Sequence, residues 1–211
     1  MATNPFLPGL ILALAVWILP LAARLLPARI VSAVQSRIPP LSDWAPWIRN
    51  AGLPYLGLLL GWVSSRDFGL TGHTAPEWII GIAAAVILGV LLGWVSVRLS
   101  IGIGWGVAGD EARWTLYRAA VWPWVTHLPV AVAAALLAAW AEFALGRKLC
   151  GEKVFDEVGL LFLAHAAGSA GLFLLAHNFF LAMLFYLTAV AASTPDIQLH
   201  FQNIYSRIQK K

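Results

Sequence analysis

The sequence predicts an all-α polytopic membrane protein, a helix bundle of five or six spans with an amphipathic C-terminal helix. Two observations carry this. Of 211 residues, 60% are AVILMFWYC and only 11% are charged, far from the balance of a soluble domain. Four long apolar runs dominate the chain: Phe6–Ala23, Trp78–Val97, Val121–Ala141 and Val158–Ala192. The first three are each about 20 residues, enough to cross a bilayer core of roughly 30 Å as helix. Too little sequence remains outside them for a separate soluble domain, so residues 1–211 read as a single transmembrane domain.

The N-terminus, Met-Ala-Thr-Asn-Pro, lacks the basic region of a signal peptide, so the first run is expected as a retained span. That span covers Phe6–Leu26, with Pro20 a candidate kink. Ala28–Asn50 follows, and its prolines with Trp44 and Trp47 suggest an interfacial stretch, because Trp favours headgroup depth. Leu53–Ser64 is apolar but short: a span extended from Asn50, or a partial insertion. Trp78–Val97 and Val121–Leu145 read as full spans.

An internal repeat links two of these segments. Leu56–Arg66 reads LGLLLGWVSSR and Leu88–Arg98 reads LGVLLGWVSVR, identical at nine of eleven positions. Each copy holds a Gly-xxx-Gly pair, Gly57/Gly61 and Gly89/Gly93, which lets helices approach closely. The expectation is a duplicated packing helix.

Val158–Ala192 is too long for one simple crossing. Gly168-Ser169-Ala170-Gly171 near its middle permits a turn, giving two helices in a hairpin. With six crossings the 14 Lys and Arg residues split seven against seven; with five they split ten against four. The positive-inside rule favours five, and the length of the run favours six. In the tail, Thr194 can cap a helix begun by Pro195. Ile197, Phe201, Ile204 and Ile208 recur at helical spacing before Lys210-Lys211. Residues 194–211 are thus expected as an amphipathic helix on the membrane surface, its basic residues facing anionic lipid.

Net charge is +4, and the basic residues lie in connecting segments. Topology and headgroups account for them; no basic face with aromatic readers suggests nucleic acid. The lone Cys150 excludes an internal disulfide and a Cys-based zinc site.

Polar residues at membrane depth are costly and therefore informative. Glu142 lies near the end of a span, and Arg147 is about 7.5 Å further along the helix axis, so an ion pair between them is expected. His165 and His177 lie in apolar helix and need partners. His200 and Asn203 lie in the tail. His127 near the start of a span suggests an interfacial hydrogen bond. Asp110, Glu111, Arg113 and Arg118 read as a solvated cap. Glu142 with the histidines could ligate a metal, but no HExxH-like spacing supports this and none is expected. A buried His among Trp and Phe could ligate a tetrapyrrole, and the cofactor is left open.

The order of these motifs resembles the CAAX-protease and bacteriocin-processing family of intramembrane proteases. That family shows Glu-Glu-xxx-Arg, Phe-xxx-His and His-xxx-Asn in membrane helices. Here Glu142 and Arg147 keep the first spacing, with Phe143 at the second Glu. Phe173 to His177 matches the second motif. His200-Phe201-Gln202-Asn203 is one residue short of the third. The resemblance covers roughly residues 53–203 and implies a glutamate-dependent intramembrane endopeptidase. Glu142 with His177 would activate a water, and His200 and Asn203 would stabilise the oxyanion. With Phe143 and the short third motif, the expectation is a degenerate member that binds rather than cleaves, in the plasma (inner) membrane. Its expected partners are membrane lipid and other integral membrane subunits. The alternative is a non-catalytic subunit of a larger respiratory or photosynthetic membrane complex. A channel or transporter would want polar residues in several spans, and the first three have almost none.

Overall fold

The structure, a computed structural model, describes residues 6–27, 41–101, 103 and 107–194. The tail expected as a surface helix lies outside the described residues, and with it His200 and Asn203. The fold is an all-α bundle. Among the described residues four helices are long and apolar enough to cross a membrane: α1 (Leu7–Leu25), α4 (Ala75–Arg98), α6 (Leu128–Leu149) and α7 (Glu157–Ala176). α8 (Phe179–Ala192) is apolar but shorter. The chain is an integral membrane protein.

Between α1 and α4 lie α2 (Leu41–Trp47), a π turn (Ile48–Gly52) and α3 (Leu53–Leu59). The wider turn carries Arg49 and the buried Asn50, and such turns often serve functional sites. α5 (Val107–Val125) is the most polar helix, yet every residue from Glu111 to Ala120 is buried. It packs against α1, α6, α8 and the π turn. The bundle therefore wraps apolar helices around a polar one.

Burial along α4 shows how lipid as solvent sorts side chains. Gly81, Ala85, Gly89, Gly93 and Ser96 face the protein, while Ile79, Ile87, Leu91 and Trp94 are exposed. Bulky apolar residues gain nothing by leaving lipid, so small ones take the helix–helix contact. That stripe packs on α8. A Cβ built on Gly89 would stand 2.5 Å from the Phe185 carbonyl oxygen, and one on Gly93 2.6 Å from the Ala192 Cβ. The expected seam at Gly89/Gly93 is present.

The other copy of the repeat behaves differently. Gly57 packs against Leu12, but Gly61 has φ +68° with nothing within 4 Å of a built Cβ. The helix has already ended. Trp62 N–H donates to the Gly57 carbonyl and Gly61 N–H to the Leu58 carbonyl, the two bonds of a Schellman cap with glycine in the left-handed position. One near-identical stretch stops a helix and the other runs through one. The expectation of a duplicated packing helix is corrected accordingly. At Gly93 the α8 backbone lies against the glycine; at Gly61 nothing lies within 4 Å of a built Cβ.

The long apolar run also breaks elsewhere than expected. α7 passes straight through Gly168–Gly171 and ends at His177, which has φ +46°. Gly168 is small because the Phe185 ring lies on it: a Cβ there would be 2.8 Å from that ring. The break itself uses His177 as a left-handed C-cap and Asn178 as the next N-cap, its Oδ1 accepting from Phe180 N–H at 2.9 Å. The loop before α4 seals the break. Gly69 (φ +77°) accepts a hydrogen bond from Phe179 N–H at 2.9 Å, and only a residue without Cβ fits so close to the His177 carbonyl.

Candidate functional site

α5 supplies the site. Asp110, Arg113 and Tyr117 fall at i, i+3 and i+7; Glu111, Thr115 and Arg118 at i, i+4 and i+7. Each set shares a face of the helix and meets its complement on a neighbour. Three of the four charges read as a solvated cap are instead inside the bundle: Glu111, Arg113 and Arg118 are 0, 5 and 2% exposed, and Asp110 is half-buried. Mutual pairing, which offsets the desolvation of each charge, is what allows this.

The first network joins α5, α6 and the π turn. Arg113 donates to Glu142 Oε1 at 2.6 Å and to Asp110 Oδ1 at 2.9 Å. The Tyr117 hydroxyl donates to Glu142 Oε2 at 3.0 Å. Arg49 stands 3.5 Å from the same Glu142 Oε1. Its Nε donates to Asn50 Oδ1 at 2.6 Å, and Asn50 Nδ2 donates to Asp110 at 3.0 Å. Burial, then the neighbouring Arg113 charge, lowers the Arg49 pKa from its ordinary value.

The second network joins α5 to α7. Arg118 donates to Glu111 Oε1 at 2.6 Å, and the Ser169 hydroxyl donates to Glu111 Oε2 at 2.5 Å. Thr115 donates to Glu111 at 3.3 Å and accepts from Arg118. The guanidinium also lies 4.0 Å above the Phe173 ring. No part of this cluster is open to solvent or lipid.

The first network opens on a cleft of about 450 Å³. Arg24, Arg147 and Glu152 line it as well, with Leu92, Leu161 and Phe162. His165 lines it too. Its ring is packed by Trp114, Phe185 and Tyr186, with centroids 5.0 to 5.5 Å apart, and its Nε2 is buried without a hydrogen-bond partner.

Arg147 does not pair with Glu142, which corrects the expected ion pair. Five residues put the two about 140° apart around a helix of 3.6 residues per turn. Arg147 instead binds Asp156 at 2.7 Å and Glu152 at 3.2 Å, where the chain turns back at Gly151 (φ +73°) into α7. His177 is not a cleft residue. Its ring lies against Trp122 (4.5 Å) and Phe173 (4.9 Å), and burial lowers its pKa. His127 is exposed at the start of α6. Thus Glu142 and Arg147 both line the cleft, each with other partners, and His177 is apart. Among the described residues no three His, Cys, Asp or Glu side chains form a metal-ligand set.

A double-mutant cycle tests this pairing. Glu142 and Arg113, cycled as Glu142→Gln and Arg113→Met, should show coupling of about 1–3 kcal/mol in detergent unfolding. Glu142 and Arg147 should show almost none. Equal coupling in the two cycles would refute the geometry.

Comparisons with protein-family models, with curated proteins and with solved structures found no match.

Proposed function

We propose that this chain is a CAAX-protease-like plasma-membrane protein that binds a ligand in the cleft beside Glu142 without cleaving it. The state of Glu142 carries the reading. A general base needs a carboxylate oxygen turned toward a water, with a histidine or equivalent partner in reach. Here both oxygens are engaged by Arg113 and Tyr117, and His177 packs on Trp122 and Phe173 instead. What remains is a cleft with charged and apolar walls, the ordinary form of a binding site. The basic connecting segments suit the anionic headgroups of such a membrane.

The test has two arms. Protein in nanodiscs should not cleave a fluorogenic farnesylated peptide above the rate of empty nanodiscs. Native mass spectrometry of gently solubilised protein should show a retained small molecule, lost when Leu161→Trp fills the cleft. Turnover abolished by Glu142→Gln, or no retained species, would overturn the proposal.

A further inference from the structure

The cleft is built from one end of the bundle. Arg24 is in the last turn of α1 and Arg147 in the last turn of α6; Val158 and Leu161 belong to the first turns of α7. The end of α4 contributes Leu92, and Ile101 follows it. Ends of spanning helices lie near headgroup depth, so this cleft faces the boundary between lipid tails and water.

Its two walls differ in kind. Leu92, Ile101, Ile103 and Leu161 belong to one hydrophobic cluster. The charged part of the lining is arginine-rich: Arg24, Arg49, Arg113 and Arg147. Asp110 and Glu142 are held by Arg113, and the exposed Glu152 shares Arg147 with Asp156. Two of the four guanidiniums, Arg24 and Arg49, have no carboxylate of their own among the described residues. Arg24 lies across Gly146, close enough that a Cβ there would collide with it. Among the described residues it has no ion-pair partner. Arg49 has only a 3.5 Å share of an oxygen that Arg113 already holds at 2.6 Å. An entering anion meets two under-compensated guanidiniums, the residue type best suited to phosphate or carboxylate.

We infer that the cleft binds an amphiphile with a phosphate or carboxylate head, its head on Arg24 and Arg49 and its chain along Leu92 and Leu161. The inference rests on the binding reading above and names the ligand class.

The experiment measures binding of dioleoyl phosphatidic acid to the detergent-solubilised full chain by native mass spectrometry. Dioleoyl phosphatidylcholine and inorganic phosphate are the comparison arms. One phosphatidic acid per chain should bind, without competition from phosphatidylcholine or from free phosphate at equal concentration. Arg24→Gln should weaken binding about tenfold. Arg24 is exposed, so this variant should fold. Arg98→Gln, which removes an arginine packed on Trp94 outside the cleft, should leave binding unchanged. Equal losses in both variants would mean general attraction to charge and overturn the inference. So would full competition by inorganic phosphate, which would leave the apolar wall no role. If phosphatidic acid does not bind while the retained species of the Leu161→Trp experiment persists, the ligand class is wrong and the binding reading stands. If both vanish, both fall.

Discussion

Arg118→Met should destabilise the protein by about 3–5 kcal/mol, the usual effect of stranding one member of a buried ion pair. Glu111 would keep its charge at 0% exposure, with only Ser169 and Thr115 left to solvate it. The variant also loses the contact of the guanidinium with Phe173. Folded domains are stable by only about 5–15 kcal/mol, so poor expression and a steep fall in melting temperature in dodecyl maltoside are expected. Glu111→Gln combined with Arg118→Met should recover part of the loss, because neither charge is then stranded. Ser169→Ala should cost less, about 1.5–3 kcal/mol for a hydrogen bond to a charged group. A single Arg118→Met variant that melts with the parent would show that this network does not hold the bundle.

This network explains what the sequence could and could not reveal. The apolar spans are legible because lipid demands length and apolarity together. α5 is not, because its charges satisfy one another and no hydropathy rule sees pairing. A signal was present. Asp110, Arg113 and Tyr117 repeat at one helical register and Glu111, Thr115 and Arg118 at the next, each set mixing donor and acceptor. A solvated cap has no reason to keep Trp114 and Leu116 between its charges and Ala119 and Ala120 directly after them. Read as a helix, the segment presents two internally matched polar faces, and that pattern argues for burial.

The site was half legible for a related reason. Glu142 stood out through the cost of a carboxylate near lipid, and it does line the cleft. Distance along the helix axis alone points to Arg147 as its partner. Rotation around the axis turns Arg147 away, and the partners come from α5 and the π turn, far off in sequence. The break before α8 went to the glycines by propensity. Glycine in a tightly packed membrane helix serves contact as often as flexibility, and Gly168 under Phe185 is such a case. His177 and Asn178, whose types tolerate left-handed and capping geometry, made the turn.

The two copies of the repeat allow that principle to be measured. Gly89→Leu and Gly93→Leu should each separate α4 from α8, since the new Cβ alone would fall 2.5 to 2.7 Å from α8 backbone oxygens. Backbone cannot rotate aside as a side chain can. The effect should exceed the roughly 1–3 kcal/mol of ordinary overpacking and leave aggregated or protease-sensitive protein. Gly61, at the matching position of the first copy, has open space around it and φ +68°. Gly61→Asn should therefore be nearly silent, because Asn tolerates the left-handed region. Gly61→Leu should cost only about 1–2 kcal/mol of backbone strain. Gly171, helical with nothing within 4 Å, gives the opposite sign: Gly171→Ala should be neutral or stabilise by up to about 1 kcal/mol. The ordering of melting temperatures across these variants is the readout. If the Gly61 variants are as damaging as those at Gly93, the first copy is also a packing seam, and the Schellman cap is not what its glycine is for.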